Sequence, residues 1–499
     1  MANKILSDDL YHVARAVGSV IEKEKMNSEK LGAKKAMDYY EYRHDILDHR
    51  IFYVDTNGSL KEDEYASNVK IPHPFFTEQV DQKVHYLLSN PVECATENET
   101  LREHLKEYFN DDLQVVLQDM VQGASIKGHE YLYARTTSDD KLTFDVADSM
   151  GIIPIYDDEN ELKAILRYYE REIDKDGKTI VITYAERWDE EKVTYFVTNA
   201  NGEYVLDESK EVNPRPHVIA ISDDGKMLGR TYGTIPFYRF NNNKAGIHDL
   251  APIKALIDDY DLMNAFLSNN LHDFQDAIYV VKGYKGDNLD DLMINLKAKK
   301  RIGTDAEGGI EVKTIDIPVE ARKLKLEIDR ENIYKFGMAF DSAQIGDGNI
   351  TNVVIKSRYA LLDLKCNKAE ARLRAMLRWM NKMIVADINR RHGTAFKADE
   401  IEVIITRETM VNENDIVNNE LIEAQAQQTR IQSVLAIAPI VDDETTLKLI
   451  CDEYDLDIVE IQKRLEEQDY TKGLGDDTDP DDETQPGVQV VTLPNVITN

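Results

Sequence analysis

The spacing of apolar positions along the chain changes from helical to strand-like and back again. Residues 1 to about 130 keep the three-and-four rhythm of amphipathic helices. It runs through Leu10 to Glu41, then Phe75 to Leu88 between Pro74 and Pro91, then Leu113 to Ile126, with Asn57-Gly58 as a turn. From His129 to Phe240 the period falls to two. Short runs rich in β-branched and aromatic residues (Thr143–Val146, Ile152–Tyr156, Ala164–Tyr169, Thr179–Tyr184, Val193–Val197, His217–Ile221) alternate with Asp176-Gly177, Asn201-Gly202 and Asp224-Gly225, dipeptides suited to hairpins. This predicts an antiparallel β region rather than βαβ units.

The helical rhythm returns at Asp249. Leu250, Ile253, Leu256, Ile257, Tyr260, Met263, Leu267, Leu271 and Phe274 predict one helix over 249–274. A small mixed segment follows, 275–318, with a strand from Ile278 to Val281 and a turn at Gly308-Gly309. Pro318 then opens a second helix over 319–338. The glycine-containing stretch 341–352 reads as a permissive loop. A very long helix follows over 353–391, its stripe running through Ile355, Tyr359, Leu362, Cys366, Ala369, Leu373, Met376, Met380, Ile384 and Ile388, with Gly393 as C-cap. A strand over Glu402–Thr406, acidic helices over 415–438 and 444–468 separated by Pro439, and a polar acidic tail from Lys472 complete the pattern. The fold class is therefore α+β, mostly helical.

Length and charge narrow the function. The 499 residues exceed what one core sustains, so more than one compact region is expected. With 60 basic and 93 acidic side chains, the chain carries −33, which excludes a protein that coats nucleic acid or an anionic membrane. The charge is uneven: residues 282–392 hold 22 basic and 16 acidic side chains, a basic middle in an acidic chain. That block suits contact with a polyanion or a neighbouring subunit; the plainer reading is that Arg372, Arg374 and Arg378 flank the apolar stripe and pair with acidic neighbours. Cys94, Cys366 and Cys451 are too few and too far apart for a disulfide framework or a zinc pattern, so a reducing compartment is the expectation. No signal-peptide run or membrane-length apolar stretch is expected.

Catalytic motifs are missing. Gly123–Glu130 (GASIKGHE) approaches a P-loop, but His129 and Glu130 stand where Lys and Ser or Thr would reach phosphate and magnesium, and the segment follows a helical pattern, so a helix end and turn is expected. His44 and His49 beside Asp45 and Asp48 invite a metal reading; a solvated surface is the expectation, because no second ligand cluster appears. Asp476, Asp477, Asp479, Asp481 and Asp482 lack the glycine and terminal glutamate of a calcium loop. Pairs such as Asp258-Asp259 are too common in so acidic a chain to signal acid–base chemistry. Neither enzyme activity, nor a cofactor, nor a metal is expected.

A series of stretches in fixed order carries a family resemblance: Asp38–Leu47 (DYYEYRHDIL), Phe75–Val92, Gly128–Ala134 (GHEYLYA), Ile153–Asp157 (IPIYD), Gly233–Phe237 with Phe240–Asn243, Asp249–Asp261, Asp273–Gly283 and Ser357–Cys366. Over most of residues 38–390 the chain resembles the portal, or head-to-tail connector, proteins of tailed bacteriophages, specifically the siphophage group of Gram-positive hosts. The resemblance implies a dodecameric homo-oligomer ring at the unique portal vertex of the virion capsid, assembled in the host cytoplasm. Double-stranded DNA would pass non-specifically through its channel.

It also implies roles for the segments. Residues 1–248 would form the wing, 249–274 and 319–338 the stem, 275–318 the clip, 339–352 the tunnel loop, 353–409 the long wing and channel helix with its strand, 410–470 the crown, and 471–499 a disordered tail. Arg322, Lys323, Lys325, Arg330 and Lys335 with Gln344, Ile345, Gly346, Asp347, Gly348 and Asn349 would face the DNA. Lys297, Lys299, Lys300 and Arg301 in the clip would dock the terminase large subunit and then head-completion or adaptor proteins. Major capsid and scaffolding proteins would be further partners; a membrane would not. The long helix and tunnel loop would transmit channel occupancy to wing and crown. The loop tip lacks Lys, Arg and aromatic residues, so a sleeve for DNA is expected rather than a reader of its bases. The alternatives are an acidic scaffolding or adaptor protein without a channel, or a nucleotide-dependent enzyme using the 123–130 loop.

Overall fold

The computed structural model describes residues 2–55, 57–63, 66–175, 178–221, 227–273, 278–284, 304–313, 319–341, 352–407, 413–437, 439–453 and 457–473. The chain divides into two compact units, Met1–Met410 and Val411–Asn499.

The first unit opens with helices α1 (Ala2–Ile5), α2 (Leu10–Lys25) and α3 (Ser28–Tyr40). The single run expected over Leu10–Glu41 is thus broken, because Asn27 turns extended and its side chain accepts the Glu29 N–H, starting a new helix. A small hairpin, β1 (Phe52–Val54) and β2 (Leu60–Glu62), precedes α4 (Phe75–Leu87), β3 (Glu93–Ala95), α5 (Glu99–Lys106) and α6 (Asp111–Lys127). Asn98 and Asn110 cap α5 and α6 by the same device.

The strands that follow are all antiparallel, as the period-two pattern predicts. They are β4 (His129–Thr136), β5 (Leu142–Ala147), β6 (Ile152–Tyr156), β7 (Leu162–Lys175), β8 (Lys178–Trp188), β9 (Lys192–Thr198), β10 (Tyr204–Leu206), β11 (Arg215–Pro216), β12 (Val218–Ile221), β13 (Met227–Arg230) and β14 (Phe237–Asn241). One sheet runs β10-β9-β8-β7-β6 with β11 also on β9; a second runs β14-β4-β5. The Asn201-Gly202 turn joins β9 to β10 with Gly202 at φ +78. The Asp176-Gly177 and Asp224-Gly225 turns lie outside the described residues.

Helix α7 (Lys254–Asp273) leads to the hairpin β15 (Ile278–Tyr284) and β16 (Thr304–Lys313), then to α8 (Val319–Gly337). Gly308 and Gly309 are not the expected turn: they lie within β16, with Gly309 opposite Lys282 next to an irregularity in the register. Helix α9 (Asn352–His392) ends on Gly393 at φ +65, and β17 (Glu402–Ile404) pairs with β3.

The main core forms where α9 crosses this unit. Leu362, Cys366, Ala369, Leu373, Met376, Met380, Ile384 and Ile388 are all buried, and pack with Leu87, Leu117, Met120, Leu132 and Phe144. Eight of the ten predicted stripe positions are therefore core, and Tyr359 packs partly buried against it. The side chain of Ile355 lies outside the described residues. A separate cluster joins Tyr39, Phe76, Val80, Leu250, Ile253, Ile257, Ile333 and Tyr334, tying α3, α4, α7 and α8 together.

The second unit holds α10 (Glu413–Ile437), α11 (Asp443–Glu453) and α12 (Ile458–Gly473). The helix expected over 444–468 is two helices, and the last runs on through Lys472 and Gly473, where a disordered tail was expected to begin; the rest of that tail lies outside the described residues. Among the described residues no helix is long and apolar enough to cross a membrane.

Candidate channel helices and the charge network that holds them

Helices α7 and α8 pack side by side. Their apolar stripes are buried only where they meet α3 and α4. Towards the end that leads to β15 and β16, Phe266, Leu271, Val319, Leu324 and Ile328 stay exposed on the single chain. A period-3.6 stripe that starts in a core and ends in solvent has burial left to gain from a further surface.

The acids of α7 are distributed among partners rather than paired with each other. Asp258 accepts from Tyr39 Oη and from Lys254 Nζ, the latter at 2.7 Å. Asp259 takes Lys325 of α8, which also reaches the buried Asp329. Asp261, 1% exposed, accepts from His44 Nδ1 at 2.7 Å, His73 Nδ1 at 2.7 Å and the His73 backbone N–H at 3.1 Å. Asn264 Nδ2 donates to His73 Nε2, which assigns that ring its tautomer. One helix is thereby fixed by carboxylates to α3, to α8 and to the segments around residues 44 and 73.

His44 corrects the sequence expectation. It is 2% exposed, stacks on Tyr39 with centroids 4.4 Å apart, and sets Nδ1 2.7 Å from Asp261 and Nε2 3.2 Å from the Tyr39 carbonyl. A buried imidazole with a carboxylate on one nitrogen and a carbonyl on the other is a structural tie, not a solvated surface. Asp45 is bridged by Lys35 and Lys254, both at 2.6 Å; burial pushes its carboxyl up, but the two ammonium groups outweigh it and bring it down to about 2.

A second network lies where α7 begins. Lys83, 2% exposed, reaches Asp249 at 2.9 Å; Lys365 of α9 reaches the same carboxylate at 3.1 Å, and Asn242 Nδ2 donates to its other oxygen at 2.8 Å. Burial pushes Lys83 below its ordinary value, against the pull of Asp249. Burial would raise Asp249, but Lys365 and Lys83 hold it well below the usual carboxylate range. The entrance to α7 is thus locked to α4 and α9 by charges closed off from water.

Of the predicted DNA-facing cations, Lys325 and Arg330 are held by acids of their own chain, Arg330 by Asp341 at 2.8 Å. Arg322 donates to the Phe266 carbonyl at 3.3 Å, and Lys323 and Lys335 are exposed. Gln344, Ile345, Gly346, Asp347, Gly348 and Asn349, and the cluster Lys297, Lys299, Lys300 and Arg301, lie outside the described residues. On α9, Arg374 pairs with Glu370 at 2.8 Å and donates to the Val403 carbonyl, as the plainer reading of that helix expects.

The P-loop look-alike is a helix end. Gly128 caps α6 at φ +92, and Glu130, 1% exposed, turns inward to Lys127 and to the Ser149 N–H. A buried carboxylate there would repel a phosphate. Among the described residues, two clusters have ligand atoms close enough to hold a cation, His104 with Glu107 and His392, and Asp157 with Glu159 and Glu161.

The family model described as phage portal protein, SPP1 Gp6-like, matches residues 21–473. The chain belongs to this family. The portal protein of Bacillus phage SPP1 is 30% identical over 424 residues, covering 84% of this chain and 82% of that protein. The portal protein of Clostridium phage phiCD119 is 26% identical over 443 residues, covering 82% and 93%. Among solved structures, the neck of a native GTA particle computed with C12 symmetry aligns at TM-score 0.33 and 13% identity, covering 76% of this chain and 89% of that one. The neck of an empty GTA particle computed with C6 symmetry aligns at 0.34 and 12%, covering 76% and 90%. As a portal protein, the chain is a structural part of the phage head-to-tail connector. The sequence pointed to that family through ordered stretches, and Asp249, Asp261, His44, Lys83 and Lys365 all lie inside them. Their joint role was not visible, because each finds its partner far away in sequence.

Proposed function

We propose that copies of this chain close into a ring, twelve by family resemblance, around a channel that double-stranded DNA crosses during packaging and ejection. The observation that carries this reading is the portal-family match over residues 21–473. The exposed apolar ends of α7 and α8 support it, since neighbouring copies in a ring would cover Phe266, Leu271, Leu324 and Ile328.

In this reading α7 and α8 are the stem, β15 and β16 belong to the clip, α9 links the channel to the wing, and the helices beyond residue 410 are the crown. The clip docks the terminase large subunit and, later, head-completion proteins; the ring sits at one vertex of the capsid among major capsid and scaffolding proteins. Ring assembly takes place in the host cytoplasm. Catalysis belongs to the motor. The buried Glu130 in the only P-loop-like stretch of the sequence supports that division of labour, as does the pairing of Lys325 and Arg330 with acids. With Lys325 and Arg330 paired to acids and Lys323 and Lys335 left exposed, such a wall would hold a duplex less tightly than five free cations would.

Negative-stain imaging of the purified protein tests the proposal: rings with a central hole are expected. Monodisperse monomers under all conditions, procapsids included, would sink it. Replacing Lys297, Lys299, Lys300 and Arg301 with Glu is expected to weaken motor docking while leaving rings intact; failure of ring assembly would make that cluster a subunit contact instead.

A further inference from the structure

Away from the channel helices, two imidazoles and a carboxylate from distant parts of the chain meet at one surface. His104 lies in the last turn of α5, Glu107 caps that helix, and His392 is the last residue of α9. The two rings stack with centroids 4.0 Å apart and planes 25° from parallel. One ligand atom from each of the three residues lies within 4.8 Å of the others. The fold does not depend on this stack to join the two helices. Tyr108 Oη already donates to Asp387 at 2.8 Å, and Arg391 donates to Glu107 Oε2 at 3.1 Å and to Tyr108 Oη at 3.3 Å.

We propose that His104, Glu107 and His392 form a surface site for a borderline divalent metal ion of the zinc class, which staples α5 to the C-terminal end of α9. Two imidazoles and one carboxylate are the donor set such ions take, with water in the fourth position. The surrounding charge selects the same class. Arg391 sits on Glu107, and Lys106 and Arg390 beside the cluster are paired with Glu103, Asp140 and Asp387, so little free negative charge is left to attract a hard cation, whereas nitrogen ligation does not depend on it. Arg391 holds one carboxylate oxygen and orients the other, the usual duty of a group bonded to a ligand. Tetrahedral ligation needs donor atoms roughly 3.4 Å apart, given zinc–nitrogen bonds of about 2.1 Å. Nitrogen lone pairs lie in the ring plane and do not converge from stacked rings, so ligation requires the exposed His392 ring to rotate out of the stack and the exposed Glu107 carboxylate to follow. The Asp157 cluster is a weaker case: it is acidic only, and Asp157 Oδ1 already accepts the Glu159 and Glu161 N–H groups.

Zinc chloride titrated calorimetrically into the assembled full-length protein near neutral pH tests the assignment. One zinc per chain is expected, not displaced by a tenfold excess of magnesium or calcium, together with a rise in melting temperature. His104→Gln and His392→Gln, both near the surface, are each expected to weaken binding at least tenfold and to remove the rise. Asp157→Asn should change neither. Absence of a stoichiometric zinc site, or one that survives both histidine substitutions, overturns the proposal.

Discussion

Lys83 and Asp249 form an ion pair 2.9 Å long that is almost closed to solvent, and Asp249 is the acid shared between Lys83 and Lys365. Removing the shared acid is therefore worse than removing either base. Asp249→Asn would leave two ammonium groups facing a neutral amide and is expected to cost about 3–5 kcal/mol, the range for a broken buried pair. Lys83→Met leaves Asp249 with Lys365 and should cost clearly less. Denaturant melts of the two variants at one protein concentration check the order; equal losses would show that the network is not organised around Asp249.

Gly128 is expected to resist substitution for a structural reason. At φ +92 a Cβ is strained, and here it would also strike the Gly246 carbonyl oxygen. Gly128→Ala should cost roughly 2–4 kcal/mol. Gly58, at φ +80 with nothing within 4 Å of the added carbon, should cost only about 1–2 kcal/mol on the same change. Thermal melts of both variants separate the clash from the torsion.

Asp261→Asn is expected to loosen α7 from the segments it anchors. The variant keeps the shape but loses a charged acceptor for two imidazoles, a loss of roughly 2–4 kcal/mol. Amide exchange over residues 42–50 and 68–75 should rise selectively; exchange that rises evenly across the chain would argue against a local tie.

The bridge at Asp45 makes an acid-side prediction. Its folded value, about 2, is below the unfolded value of about 4. The bridge therefore stabilises fully above pH of about 4, and the contribution disappears as pH falls towards about 2. Asp45→Asn should flatten that limb of the stability profile. The side chain is 44% exposed, so the difference should shrink in high salt. A limb unchanged by the substitution would remove Asp45 from the account.

Elements governed by local rhythm were legible in the sequence. The stripe from Leu362 to Ile388, the antiparallel pattern after His129 and the cap at Gly393 each depend on spacing or on one residue's backbone freedom. Breaks inside helical rhythm were harder to see: Asn27 restarts a helix through one side-chain hydrogen bond, which periodicity does not register. Gly308-Gly309 misled for the opposite reason, since a strand tolerates glycines where its partner allows. The charge network was the least legible part. Nothing in the spacing of Asp258, Asp259 and Asp261 says that the first serves Tyr39 and Lys254, the second Lys325, and the third two histidines. His44 was expected at a solvated surface because no second ligand cluster appears near it in sequence, while its partner Asp261 is 217 residues away.

The 41-residue helix α9 is about 62 Å long, and its buried stripe runs from Leu362 to Ile388. A helix packed along so much of its length resists bending, so a load on one end would have to tilt it as a unit. A tilt of roughly 5° about its midpoint moves Asn352 and His392 by about 3 Å in opposite directions. Under such a tilt a displacement at one end would be returned at the other with its sign reversed and its size preserved, as by a see-saw rather than a damper.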